Sequence, residues 1–232
     1  MKTTVSDTYF FAGADSLAAS IVLYARRRMF ERFLKLGGFD ESSTVLDIGV
    51  TSDESFEFSN HFEKWLKNKS RITALGLRDA SNLIQRFPDL SFVRGDALHL
   101  PFRDQAFDFV HSSAVLEHVG SRDKQRRFIE ECGRVARVGV FLTTPNRWFP
   151  IEVHTRLPLL HWLPMPVFRS VLSRTRYASL AREDTLNLVS PFVLNDLSAR
   201  LTEFDIELEY IWLTVLPSNI MFIAYRRHMQ TT

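Results

Sequence analysis

The chain is organised around Ser43–Ser55, which reads STVLDIGVTSDES. Thr44, Val45 and Leu46 are β-branched or apolar, which predicts a short buried strand. Asp47 and Gly49 fall where that strand ends and the chain turns. An open α/β sheet binds its ligands beyond the carboxyl ends of its strands. A glycine there lets backbone approach a ligand closely, because it has no Cβ. A pyrophosphate site would read G-x-G-x-x-G. Residues 49–54 instead read GVTSDE, with one glycine and two acids where a helix N-terminus would receive a phosphate. The pattern argues against a dinucleotide and leaves open a ligand without phosphate.

On either side of this stretch, strand-like and helix-like segments alternate. Residues 71–77 (RITALGL), 90–94, 107–112 (FDFVHS) and 137–143 (RVGVFLT) read as further strands. Helices are expected over 10–38, 56–68, 80–86 and 121–136. In the first, Ile21, Leu23, Tyr24, Met29, Phe30, Phe33 and Leu34 recur at helical spacing, and Gly37-Gly38 ends the pattern. Arg26, Arg27, Arg28, Glu31 and Arg32 read as its solvated face. Phe62, Trp65 and Leu66 are the inward residues of the second. Ser121 is placed to cap the fourth, with Asp123 at its positive end. This alternation implies a parallel sheet with helices on both faces. Residues 204–215 and 220–227 break it. They are two strand-like runs joined by Leu216-Pro217-Ser218-Asn219, short enough for a hairpin, so one of them runs antiparallel to the rest.

The 232 residues are 45% hydrophobic and 24% charged, the composition of a globular protein and enough for one α/β domain with an elaboration. A net charge of +2 makes no electrostatic case for nucleic acid, and none is expected as a partner. The single cysteine, Cys132, excludes an internal disulfide and reads as a buried inert thiol, which favours a reducing, cytoplasmic compartment. MKTTVSDTYF has no apolar h-region, so no signal peptide is expected. No run approaches the ~20 apolar residues that span a bilayer.

Three segments resemble the class I methyltransferases that use S-adenosyl-L-methionine, in particular their type-11 subgroup. VLDIG at 45–49 looks like the family's first motif. GDALHLPFRDQAFDFV at 95–110 resembles its third-strand end, turn and fourth strand. SAVLEHV at 113–119 is similar to the segment after strand four. The resemblance implies a Rossmann-like, seven-stranded, mostly parallel sheet with a C-terminal antiparallel hairpin. It also implies a cofactor edge built from Asp47, Gly49, Thr51, Gly76, Leu77, Asp79, Asp96, Ala97 and Ser113. Asp96 would accept from the adenine amine while the Ala97 amide donates to a ring nitrogen. Two departures stand out. Thr51 and Asp53 occupy the places of the family's further glycines. Gly76 occupies the place of the acid that holds the ribose hydroxyls, with Asp79 the nearest carboxylate.

Methyl transfer needs an oriented acceptor, and a hydroxyl acceptor also needs a base. His118, just after strand four, is the first candidate and His154 the second; His111, within the strand, reads as a core histidine. Glu152, His154 and His161 show no tight ligand spacing, so no metal site is read from them. Residues 145–190 form an insert with five prolines between 145 and 166, and six arginines against one acid, Glu152, from Arg147 to Arg182. It is rich in Trp, Phe, Leu and Val. It is expected to act as a lid or cap over a small-molecule or lipid-linked acceptor, with oxygen the accepting atom. A second reading is a peripheral membrane contact through 145–185. A methyltransferase-like protein that binds without catalysing is the alternative to an enzyme.

Overall fold

In the computed structural model, residues 17–53, 58–213 and 215–227 are described. Residues 10–16 of the expected first helix, and Phe56 and Glu57 of the second, lie outside them. The elements run α1 (Leu17–Phe33), β1 (Val45–Ile48), α2 (His61–Trp65), β2 (Ile72–Gly76), α3 (Asn82–Arg86), β3 (Ser91–Arg94) and β4 (Phe107–Ser113). They continue with α4 (Arg122–Val135), β5 (Ala136–Pro145), α5 (Met165–Leu172), α6 (Pro191–Ser198), β6 (Phe204–Trp212) and β7 (Pro217–Arg226). The seven strands form one sheet in the order β3-β2-β1-β4-β5-β7-β6. β1 pairs in parallel with β2 and β4, and β7 runs antiparallel to both β5 and β6. β7 is therefore reversed, as a short connection requires, but Pro217, Ser218 and Asn219 of the expected link belong to β7 itself.

The strand period of two sends alternate side chains to opposite faces. Leu46, Ile48, Val110 and Leu142 pack with Phe128, Ile129 and Val135 of α4 and Leu194 and Leu197 of α6. Val45, Phe109 and Phe141 face α1 and α2 and pack with Phe30, Phe33 and Phe62. Phe33 and Phe62 meet edge to face with ring centroids 5.0 Å apart. Full burial of each such ring stabilises the fold by roughly 1.5–3 kcal/mol. Ser121 caps α4 by accepting from the Lys124 amide at 3.4 Å, and Ser190 caps α6 in the same way.

One expectation is corrected. The charged face of α1 is not simply solvated: Arg32 makes a two-pronged contact with Glu209 of β6, at 2.7 and 2.6 Å. Arg26 donates to the Phe58 carbonyl at 2.9 Å and to His61 Nδ1 at 3.0 Å. These arginines tie α1 to the sheet and to α2. The insert contains one regular helix, α5, whose Phe168 and Leu172 form a small core of their own with Tyr177, Leu180, Leu186 and Leu188. Cys132 is buried, and burial raises its thiol pKa, so it is inert as expected.

Candidate active site

The turn after β1 is built without the missing glycines. Gly49 takes φ +107°, where an L side chain is strained, and a Cβ there would come within 2.3 Å of Val115 Cγ2. Beyond it, Asn60 Oδ1 accepts from the Thr51 amide at 3.0 Å and Asn60 Nδ2 donates to the Thr51 carbonyl at 2.8 Å. Thr51 Oγ1 accepts from the Asp53 amide. A side-chain brace thus holds the turn that a glycine run would otherwise form. The same Gly49–Val115 proximity sets this turn against the segment that leads to His118.

Gly76, at the end of β2, has little room for the acid the resemblance calls for. A Cβ would meet the Val50 carbonyl at 3.0 Å and the Arg78 carbonyl at 3.1 Å. Leu77 is 69% exposed. Asp79 accepts from the Ser81 amide at 3.0 Å through Oδ1, a local bond that lowers its pKa and leaves its second oxygen toward solvent. Asp96 uses Oδ1 in the same way on the Leu98 amide at 2.9 Å, and its other oxygen stands at the half-exposed end of β3. Gly49, Asp79, Asp96 and Ala97 thus follow the carboxyl ends of β1, β2 and β3. Ser113 accepts from Thr143 Oγ1 at 3.0 Å, and Ser112 donates to the Ile48 carbonyl at 2.9 Å, so both hold neighbouring strands.

Asp47 points into the sheet rather than along its edge. Its Oδ1 meets His111 Nδ1, and His111 lies stacked between Phe62 and Phe141. Glu63 of α2 is fully buried beside them, its carboxyl set against that of Asp47. Burial pushes the Asp47 carboxyl up to about 7, against the pull of Glu63 and Arg26. Burial and the Asp47 charge push Glu63 well above the usual carboxylate range. Burial drives His111 down to about 3 and, with the Arg26 charge, lowers His61. Sequence reasoning found Asp47 and His111 but not Glu63, His61 or Arg26.

The insert meets the end of β4. Asn187 donates from its amide to the Glu117 carbonyl at 2.7 Å, and its side chain donates to the Gly120 carbonyl at 2.8 Å. His154 Nε2 lies 3.1 Å from His118 Nε2. Glu152 Oε1 accepts from His154 Nδ1 at 2.6 Å, and its other oxygen accepts from the Thr155 amide at 2.7 Å. His118 Nδ1 donates to the Thr185 carbonyl at 2.7 Å. Burial opposes ionisation of Glu152, but His154 and the donors around it override that and hold its pKa at about 2. Burial likewise opposes protonation of His154, and Glu152 overrides it; His118 is lowered by burial and by His154. Glu117, in the quoted motif but not singled out from it, is buried against this pair.

The insert's arginines are largely engaged within it, although Glu152 is the one acid from Arg147 to Arg182. Arg147 donates to the His161 and Leu163 carbonyls, Arg174 to Ser170 and Arg176 to Tyr177. Arg169 reaches Asn187, and Arg182 pairs with Asp184, an acid just past the counted stretch. Its apolar residues are not all covered: Trp148, Leu159, Trp162, Leu163, Val167 and Val171 are exposed. An open cleft of about 390 Å³ between α6 and β6 opens at the amino end of β6, away from all these groups. Among the described residues, no helix is long and apolar enough to cross a membrane.

Residues 59–143 match the family model described as a methyltransferase domain. A mouse protein named "Probable tRNA methyltransferase 9B" is 35% identical over 78 residues, which span 33% of this chain and 17% of the mouse protein. The magnesium protoporphyrin IX methyltransferase of Synechocystis PCC 6803, solved with bound SAH, superposes with a TM-score of 0.60 at 12% identity, over 94% of this chain and 91% of that one. A SAM-dependent methyltransferase from Methanosarcina mazei superposes with a TM-score of 0.56 at 18% identity, over 81% of this chain and 94% of that one. At these identities the likeness to solved structures concerns the fold. Strand order and the reversed β7 give the chain the fold of these solved methyltransferases, and residues 59–143 carry its match to a methyltransferase domain.

Proposed function

We propose that this chain transfers the methyl group of S-adenosyl-L-methionine to an oxygen of a small or lipid-linked, largely apolar acceptor. The observation that carries this reading is the meeting of the insert with the end of β4, where His154 and His118 approach to 3.1 Å. Gly49, whose Cα packs on Val115, brings the cofactor edge to the same place. Gly49, Asp96, Ala97 and Asp79 would hold the adenosine part, and Thr51 keeps their turn in shape through Asn60. The cofactor supplies a methyl group already activated on a sulfonium. The protein's work is then to orient the acceptor and take its proton. Glu117, His118 and His154, positioned by Glu152, are the groups at hand for the proton. The insert supplies an apolar wall: Val167 and Val171 follow one another at i, i+4 spacing on α5, with Leu163, Trp148 and Trp162 also exposed.

A second reading is a methyltransferase-like protein that binds but does not catalyse. It is favoured by the closed space at Gly76, which leaves the ribose without its usual acid. One experiment separates the two. The full chain is incubated with S-adenosylmethionine carrying a labelled methyl group and, in parallel, with apolar alcohol-bearing lipids, small hydroxylated compounds and tRNA. The tRNA arm answers to the mouse relative's name. Label in the lipid or small-molecule arm, lost in His118→Ala, is expected. Label confined to tRNA would overturn the acceptor class. No label in any arm, with the cofactor bound, would favour the accessory reading.

A further inference from the structure

We propose that Glu117, His118 and His154 form a site for one divalent transition-metal ion, of the kind that takes Zn2+. One potential ligand atom from each lies within 4.8 Å of the other two. The site rests on this geometry and not on the methyl-transfer reading; with the ion bound, water in its open position, not an imidazole, would take the acceptor's proton.

Both imidazoles have Nδ1 committed elsewhere, His118 to the Thr185 carbonyl and His154 to Glu152. Their Nε2 atoms are thereby turned toward each other at 3.1 Å. Two neutral rings held in these tautomers would face each other lone pair to lone pair, so a cation belongs between them. A proton would satisfy the two nitrogens alone. It would leave Glu117 Oε1 buried without a hydrogen-bond partner, 4.0 Å from His118 Nε2. A metal ion answers all three atoms at once. Glu117 is already oriented for it, because its other oxygen accepts from Thr144 Oγ1 at 3.0 Å.

The donor set fits the ion. Two imidazole nitrogens and a carboxylate oxygen are a zinc set, bound near 2.0–2.2 Å, which places ligand atoms about 3.3 Å apart in a tetrahedron. The two nitrogens are at that spacing, and Glu117 need close by less than about 1.5 Å. Outer partners on each Nδ1, one a carboxylate and one a backbone carbonyl, are the supports that metal-bound histidines carry. Charge balances as well: Glu117 and Glu152 bring two negative charges into a buried place, and a divalent cation cancels them. Three protein ligands leave a fourth position, and His118, the least buried of the three at 23% side-chain exposure, marks where it opens. Such an ion would also fasten the insert to the sheet, since His154 comes from the former and Glu117-His118 follow β4.

The test uses the full chain, freed of metal with a chelator and then titrated with ZnCl2 by calorimetry and thermal melting. CoCl2 serves as a spectroscopic probe through its visible ligand-field bands. The expected result is one equivalent bound, a rise in Tm, and loss of roughly 100-fold or more in affinity in His154→Ala and Glu117→Gln, with Glu152→Gln weaker by about 10–100-fold. If His154→Ala does not fold, the near-isosteric Glu117→Gln decides. Absence of Zn2+ binding by the parent chain overturns the proposal, as does Glu117→Gln binding with parental affinity and an unchanged cobalt spectrum. Neither outcome touches cofactor binding, which is read separately with S-adenosylmethionine in metal-free protein.

Discussion

Replacing Gly49 by alanine should damage the turn after β1 in two separable ways. The first is conformational: at φ +107° a non-glycine residue costs roughly 1–3 kcal/mol. The second is steric. The new Cβ would lie 2.3 Å from Val115 Cγ2, far inside the ~3.5–4.0 Å of a carbon contact. Val115 packs against the core beside the 3-10 turn Leu116–His118, so it cannot withdraw without moving that turn. Overpacking of this kind costs about 1–3 kcal/mol, which brings the total to roughly 2–6 kcal/mol. Val115→Ala removes the offending methyls and leaves the Val115 Cβ position at an ordinary 3.6 Å. By itself it should cost up to about 1.6 kcal/mol, for two buried carbons. In that background Gly49→Ala should cost only the conformational part, so the pair should couple favourably by about 1–3 kcal/mol. Urea unfolding of the four proteins measures the cycle. Equal costs of Gly49→Ala in both backgrounds would refute the steric argument. A cost below about 0.5 kcal/mol in the parent would refute both parts.

Three further outcomes are expected. Gly76→Asp, which restores the family's acid, should lower Tm and leave S-adenosylmethionine affinity no better, because backbone carbonyls fill the Cβ position; tighter binding with unchanged stability would contradict this. Glu63→Gln should stabilise the protein increasingly as pH rises above about 4.5. Folded Glu63 keeps its proton where the unfolded chain loses it, so the parent loses stability above that pH by up to about 1.4 kcal/mol per unit, and glutamine does not. Urea unfolding at pH 4.5 and 8 checks the sign, and a pH-independent difference would count against it. Arg32→Ala and Glu209→Ala should couple by about 1 kcal/mol, less in high salt, since the pair is only partly buried; additive losses would show that the contact contributes nothing.

The sheet was legible because its signals are local. The apolar run 45–48, the alternation of strand and helix and the shortness of the link before β7 each reflect a period or a length that sequence displays. Asp96 could be picked out as a strand-end acid for the same reason, since it sits in a motif with set spacings. The remainder depends on contacts between distant residues. Glu63 meets Asp47 across a turn, and nothing in HFEKW marks its glutamate as buried. Asn60 braces Thr51 only because it adopts a left-handed conformation at the entry to α2. His118 and His154 are 36 residues apart, so no ligand spacing could reveal them. The arginines of the insert looked unpaired because pairing was sought among nearby acids, whereas several of them bond to carbonyls.

The central claim is that S-adenosylmethionine binds at the carboxyl edge formed by Gly49, Asp96 and Ala97. Calorimetry of the parent chain and Asp96→Ala tests it most directly. The exposed oxygen of Asp96 should contribute the ~1.5–3 kcal/mol of a hydrogen bond involving a charged group, so the variant should stay folded and bind about 10–150-fold more weakly. A folded Asp96→Ala protein with parental affinity, or a parent chain that binds no S-adenosylmethionine, would contradict the account.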